Sequence, residues 1–270
     1  MHPDDIVTPQ TFSRFVALGD SQTEGLNDGD DTQGYRGWAD RLAERLAVSN
    51  PDLRYANLAV RGHLAGQIHA AQLAPALALR PDIATVVAGM NDVLRPSFDL
   101  DEVSAHLDAM FGALVGAGAR VGTLTFPDIG RIMPIARPLM PRVLALNARI
   151  RTLAARHGVA LVDAFPYPAT TDARIWSADR LHANSTGHTL IAAAMADAFG
   201  LPGSDDSWNR PLPPPSVRTR RQAARTELRW LTTIVSPWIG RRLLGRSSGD
   251  NRTAKRPALT PVDTGRPVDR

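Results

Sequence analysis

Two short stretches, far apart in the chain, hold residues suited to acyl transfer. Ser21 lies in Gly19-Asp20-Ser21-Gln22-Thr23-Glu24-Gly25, and Asp179 and His182 lie in Asp179-Arg180-Leu181-His182-Ala183-Asn184-Ser185. A serine hydroxyl is a weak nucleophile until a base takes its proton, and imidazole, which titrates near neutral pH, is the side chain best matched to that task. An aspartate three residues before the histidine can fold back on the ring, fix its tautomer and stabilise the imidazolium that forms. Hydrolysis is therefore the first chemistry to consider. Taken alone, Asp20 and Ser21 also suit a plain turn, and the serine does not sit in a G-x-S-x-G elbow. His188 is a rival base, but it opens an apolar run, Thr189 to Met195, that reads as a helix, which favours a packing or helix-end role.

Such residues must be brought together by the elements that carry them. Phe15-Val16-Ala17-Leu18 is a short apolar run closed by Gly19, so it reads as a buried strand with Ser21 just past its carboxyl end. Tyr55 to Val60 and Ile83 to Ala88 read as further strands, running into Arg61-Gly62 and Gly89-Met90-Asn91-Asp92. Strands are also expected over 121–126 and 160–164. Helices are expected over 37–47, 65–79, 100–116, 139–157 and 185–199. This alternation predicts a parallel sheet between helical layers, and right-handed crossovers put the strand-to-helix loops on one edge. Ligands bind at that edge in open parallel sheets. Ser21, Gly62 and Asn91 would emerge there together, with the Gly62 N–H and the Asn91 amide placed to stabilise an oxyanion. Each is also an ordinary turn residue; their shared position after successive strands is what counts.

These blocks, in this order, resemble those of the SGNH hydrolases, also called GDSL-type esterases and lipases: Gly-Asp-Ser with Thr23 and Gly25, a glycine after the second strand, Gly-x-Asn-Asp after the third, and Asp-x-x-His near the end of the domain. The resemblance spans about residues 13 to 199. It implies a flavodoxin-like three-layer α/β/α sandwich around a five-stranded parallel sheet. It further implies Ser21 as nucleophile, His182 as base, Asp179 as its carboxylate partner, and the Ser21 N–H, Gly62 N–H and Asn91 side chain as the oxyanion hole. A small-molecule ester is the implied substrate, with no metal or organic cofactor. Asn57 matches a block asparagine to which a supporting structural role is assigned. Arg180 and Ala183 stand where the family often has Gly and Pro, neither of which carries the chemistry. A catalytically weak ligand-binding or scaffold protein of the same fold is the alternative of a different class.

The 270 residues suffice for one α/β domain with an appendage. Cysteine is absent, which excludes disulfides, thiolate metal sites and a cysteine nucleophile. The first eleven residues lack a basic-then-apolar signal pattern, and no run of about 20 apolar residues suggests a transmembrane span. The expected location is cytoplasmic, with peripheral membrane contact left open. Glu24, Asp28, Asp30 and Asp31 form an acidic cluster without EF-hand spacing, so a solvated loop is expected there and not a metal site. Residues 126–137 either wall an acyl pocket or cover the sheet edge.

Charge marks a boundary. Fourteen of the 31 basic residues and six of the 27 acidic ones fall from Ser204 onward, a net +8 that leaves −4 on the preceding part. The expected organisation is a catalytic domain over 12–201, a Pro-rich linker over 202–217, an amphipathic basic helical segment over 218–246 and a disordered tail over 247–270. Neither linker nor tail is expected to add to the core. The basic segment suits packing on the domain or a second subunit, or an anionic membrane surface; nucleic-acid binding is the least favoured, since no defined nucleic-acid fold is present.

Overall fold

The structure, a computed structural model, describes residues 11–213 and 252–263. The basic segment expected over 218–246 lies outside them. In chain order the first half contains β1 (Arg14–Gly19), α1 (Ser21–Glu24), β2 (Gly29–Asp30), β3 (Gly34–Tyr35), α2 (Trp38–Ser49), β4 (Arg54–Asn57), α3 (Ala65–Ala78), β5 (Ile83–Val87) and α4 (Met90–Val93). There follow α5 (Leu100–Gly116), β6 (Arg120–Leu124), α6 (Ile129–Ile132), α7 (Met140–His157), β7 (Ala160–Val162), α8 (Ser185–Ala198) and β8 (Arg256–Pro261).

Strand order is β7-β6-β5-β1-β4-β8. The first five are parallel, with Phe15 level with Tyr55 on one side and Ile83 on the other. The expected α/β/α sandwich is therefore present, with α2 and α8 packed together on one face of the sheet and α3, α5 and α7 on the other. Phe15, Val16, Ala17 and Leu18 are fully buried. A central parallel strand covered on both faces needs such an unbroken apolar run, which is why its sequence does not alternate. Burying each large side chain of this kind contributes about 1.5–3 kcal/mol. The Phe15 and Tyr55 rings stack across the β1–β4 pair at 5.0 Å.

The order in which strands are added reverses at β1: β4 lies on one side of it, while β5, β6 and β7 add on the other. Loops leaving β1 and its two neighbours therefore diverge and leave a crevice at their carboxyl ends, where open α/β sheets bind ligands. Ser21, Gly62 and Asn91 follow β1, β4 and β5, the three strands that flank that crevice.

The sheet has six strands where five were expected. β8 falls within the tail expected to be disordered and pairs antiparallel with β4, Arg54 opposite Pro261 and Asn57 opposite Arg256, with an irregularity after Tyr55. Its prolines are tolerated because an edge strand bonds on one side only. Side chains fix it further: Lys255 Nζ donates to Asp40 Oδ2 at 2.6 Å and Tyr35 O at 2.9 Å, and the Arg256 guanidinium lies 5.1 Å from the centre of the Tyr55 ring. The segment after residue 201 also contributes to the core, contrary to expectation. Trp208 is 9% exposed, joins the main apolar cluster and donates through Nε1 to Asp197 at 3.0 Å. No helix among the described residues is long and apolar enough to cross a membrane.

Candidate active site

Ser21 begins α1, so its N–H is one of the donors a helix start leaves without an intrahelical partner. Asp20 caps the turn, accepting from the Gln22 N–H at 3.2 Å. Gly25, at φ 95, ends α1 and allows this compact turn, since a Cβ there would lie 2.6 Å from the Gly37 nitrogen. The strand end before it is held by Gln72 of α3, which bonds both the N–H and the carbonyl of Gly19 at 2.9 Å.

Asp179 and His182 sit on the loop that leads into α8. Its ends are pinned: Ser177 N donates to His182 O at 2.9 Å, and Asn184 caps α8 by accepting from Gly187 N at 3.1 Å. Gln22 ties this loop to α1, accepting from Ala183 N at 3.1 Å. The result is a relay across 161 residues of sequence. His182 Nε2 lies 2.8 Å from Ser21 Oγ, and His182 Nδ1 lies 2.7 Å from Asp179 Oδ2. With an ionised carboxylate on Nδ1, the neutral ring carries its proton there and leaves Nε2 to accept from the serine hydroxyl.

The carboxylate is well supplied with donors. Asp179 accepts from Ser177 Oγ at 2.7 Å, Leu181 N at 2.9 Å, His182 N at 3.0 Å and Asn27 Nδ2 at 2.8 Å. Burial raises its pKa, but the bond to His182 and that ring's charge, then Ser177, outweigh burial and hold Asp179 well below the usual carboxylate range. Arg180 adopts φ 57, a left-handed conformation that glycine takes without strain. His188 is separate from the relay. It is fully buried, accepts from Trp38 N on Nδ1 at 3.2 Å and faces Leu26 O through Nε2 at 3.4 Å. Burial lowers its pKa to about 4, so it stays neutral.

Gly62 takes φ 81, and its N–H, like that of Ser21, donates to no protein acceptor among the described residues. Both line the same pocket as Asn91 and His182. The Asn91 amide is turned by two acceptors, Asp20 Oδ2 and His63 O, each at 3.1 Å. Asp92 caps α3 by accepting from Ala65 N at 3.0 Å, which ties the loop after β5 to the loop holding Gly62. Asn57 is fully buried; it donates to Thr23 O at 2.8 Å and Tyr55 OH at 2.9 Å, and accepts from Ala59 N at 3.1 Å, bracing α1 against β4.

Two residues of this site were not singled out from sequence. Asp20 is 5% exposed beside Ser21, and burial raises its pKa to about 6, partly offset by the Gln22 N–H and by His182. Glu24 is buried against Arg61, accepting from Arg61 N at 2.8 Å and from the guanidinium through both carboxylate oxygens. That pair fixes the backbone one residue before Gly62. Asp28, which holds Arg41 at 2.8 Å, is also partly buried, whereas Asp30 and Asp31 are exposed as expected, Asp30 accepting from Thr32 N and Gln33 N and Asp31 holding Arg252 at 2.8 and 2.9 Å. The spacing of Asp20 after a strand and before a helical turn was its available signal; nothing in the sequence pairs Glu24 with Arg61.

The pocket beside Ser21 has a volume of about 240 Å³. Phe126, Pro127, Ile129, Ile132 and Met133 line it, so the stretch after β6 walls the pocket.

Residues 17–190 match the model of the GDSL-like lipase/acylhydrolase family. Among solved structures, LAE5, an alpha/beta hydrolase enzyme from the metagenome of Lake Arreo, Spain, is 26% identical and superposes with a TM-score of 0.59, covering 71% of this chain and 97% of its own. TesA is 23% identical, with a TM-score of 0.58 over 69% of this chain and 98% of its own. The acetyl xylan esterase AlAXEase is 20% identical, with a TM-score of 0.57 over 68% of this chain and 98% of its own. The last two likenesses speak to the fold alone. No curated protein matches the chain. With the family model covering well over half of its length, the chain belongs to the GDSL-like lipase/acylhydrolase family.

Proposed function

We propose that this protein is a serine hydrolase that cleaves carboxylic esters of small molecules through an acyl-enzyme. Ser21 is the nucleophile, His182 the general base and then acid, and Asp179 the group that orients His182. One observation carries the reading: Ser21 Oγ, His182 and Asp179 form an unbroken hydrogen-bonded relay, at 2.8 and 2.7 Å, on the wall of a largely apolar pocket.

In the first half-reaction the hydroxyl proton of Ser21 passes to His182 Nε2 as Oγ attacks the ester carbonyl carbon. The carbonyl π electrons move to oxygen, and the N–H groups of Ser21 and Gly62 receive that charge. Asn91 supplies a third donor by exchanging one of its two present acceptors for the oxyanion. Collapse of the intermediate breaks the bond to the alkoxide, which takes the proton from His182 and leaves as an alcohol. A water then gives its proton to His182, attacks the acyl carbon and releases the carboxylic acid, with the proton returned to Ser21 Oγ. Asp179 stays ionised throughout and stabilises the imidazolium.

The test is covalent labelling with a fluorophosphonate, with the modified residue located by peptide mass mapping. Ser21 should be the labelled site, and Ser21→Ala protein should take up no label. Labelling elsewhere, or ester turnover undiminished in Ser21→Ala, would refute the assignment.

A further inference from the structure

We propose that the apolar pocket is an acyl-chain channel selecting medium-length aliphatic acyl groups of about the octanoyl size, with Trp208 as its end wall. The inference rests on the hydrolase reading above and names its substrate class.

Along α8, Gly187, Leu190, Ile191 and Ala194 all line the pocket. They recur at three- and four-residue intervals, so they form one stripe on one face of the helix. At about 1.5 Å per residue the stripe runs about 10 Å along the axis, the length of an extended octanoyl chain. Its beginning lies at the amino end of α8, directly after the loop that carries His182. Trp208 lines the same pocket, and its indole is anchored by Nε1 to Asp197, three residues beyond Ala194, and packs edge-on against Tyr167 at 5.1 Å. A channel with the nucleophile at one end and a fixed indole at the other measures chain length.

The lining chemistry is that of a hydrocarbon site. Opposite α8 stand Leu124 and Val162, at the ends of β6 and β7. The ionic side chains of the lining, Asp20, Arg95 and Arg180, all belong to the loops that carry Ser21, Asn91 and His182, at the reacting end. Two threonines deeper in are already committed. Thr125 donates to Asp163 at 2.8 Å, and Thr170 bonds the carbonyls of Ala164 and Tyr167 at 3.0 and 2.7 Å. Neither hydroxyl has a proton left for a polar acyl group. An acetyl group would occupy only the mouth and leave the apolar walls wet.

The experiment is a series of p-nitrophenyl esters, from acetate through butyrate, hexanoate, octanoate and decanoate to palmitate, with kcat/KM measured for the wild type, Ala194→Leu and Trp208→Ala. Wild-type kcat/KM should climb about three- to four-fold per methylene buried, peak near octanoate and fall for palmitate. Ala194→Leu should move the peak to shorter esters, cutting the octanoate-to-acetate ratio at least ten-fold; Trp208→Ala should move it to decanoate or longer. The two variants push in opposite directions, so loss of fold in one leaves the other decisive, and fluorophosphonate labelling of Ser21 certifies that each is folded. A wild-type rate highest on acetate, or a peak unmoved by both variants, overturns the channel while leaving the hydrolase intact. Failure of every ester together with absence of Ser21 labelling overturns both.

Discussion

Replacing Asp20 with asparagine separates two demands placed on one carboxylate. Asp20 is nearly inaccessible, and its two oxygens serve different partners: one caps the turn that presents Ser21, the other turns the amide of Asn91. Burial, only partly relieved by the Gln22 N–H and by His182, raises its pKa from 3.8 to about 6. Between those values the folded state binds more protons than the unfolded chain, so stability falls as pH rises through that window. At about 1.4 kcal/mol per unit, the full effect above pH 6 is about 3 kcal/mol. Asparagine keeps the same shape and carries no charge. Its carbonyl can still cap Gln22, but its NH₂ then faces the Asn91 NH₂, and one hydrogen bond worth about 1 kcal/mol is lost. The expected result is an Asp20→Asn protein about 1 kcal/mol less stable than wild type near pH 4 and about 2 kcal/mol more stable above pH 7. Activity should move the other way: with Asn91 no longer aimed, kcat should drop by about 10- to 100-fold. Urea unfolding of both proteins at half-unit steps from pH 4 to pH 8 measures the difference directly. His188 works with opposite sign, since its pKa is lowered from 6.5 to about 4 and its contribution to stability grows with pH across that range. It is common to both proteins and cancels in the comparison. A wild-type-minus-variant difference that stays constant over the whole range would refute the reasoning.

His182→Ala should lower kcat/KM by at least about a thousand-fold, whereas His188→Ala should keep measurable ester turnover and instead lower the midpoint of thermal unfolding by opening a cavity; steady-state kinetics beside calorimetry distinguish the two. Glu24→Gln leaves the buried Arg61 guanidinium with only the exposed Asp31 carboxylate, at 3.5 Å, as counter-charge, so a stability loss of about 3 kcal/mol is expected in urea unfolding, with kcat falling more than KM rises because the Gly62 N–H is displaced. Arg180→Gly relieves a left-handed conformation and should raise stability by up to about 1 kcal/mol at unchanged KM, read from a thermal melt and a Michaelis curve.

The strands that carry the site were legible because β1, β4 and β5 are buried on both faces, and continuous apolar runs such as Phe15 to Leu18 have few other uses. The placement of Ser21, Gly62 and Asn91 was legible for the same reason, each following a strand, and that of the Asp179–His182 pair because it leads into the apolar run of α8. Distances between them are tertiary facts: the 2.8 Å between Ser21 and His182 depends on Gln22, Asn184 and the α2–α8 packing together. Glu24 was read as part of an exposed acidic loop because nothing local distinguishes it from Asp30; only the approach of Arg61 from the loop after β4 does so. Trp208 and β8 were hidden by composition. Their surroundings are rich in proline, glycine and charge, and each becomes structured only by using what the domain offers, Asp197 and Tyr167 for the indole and the open edge of β4 for the strand.

The docking of β8 changes what kind of appendage the arginine-rich stretch is. On one side of it Pro213 is gripped through its carbonyl by Arg174 at 2.6 Å, and on the other Arg252 is clamped by Asp31 before the strand adds to the sheet. The described residues on either side of that stretch, Pro213 and Arg252, are thus both fastened to the domain. A chain severed between them would stay joined through the β8–β4 pairing and through the Arg252–Asp31 and Lys255–Asp40 contacts.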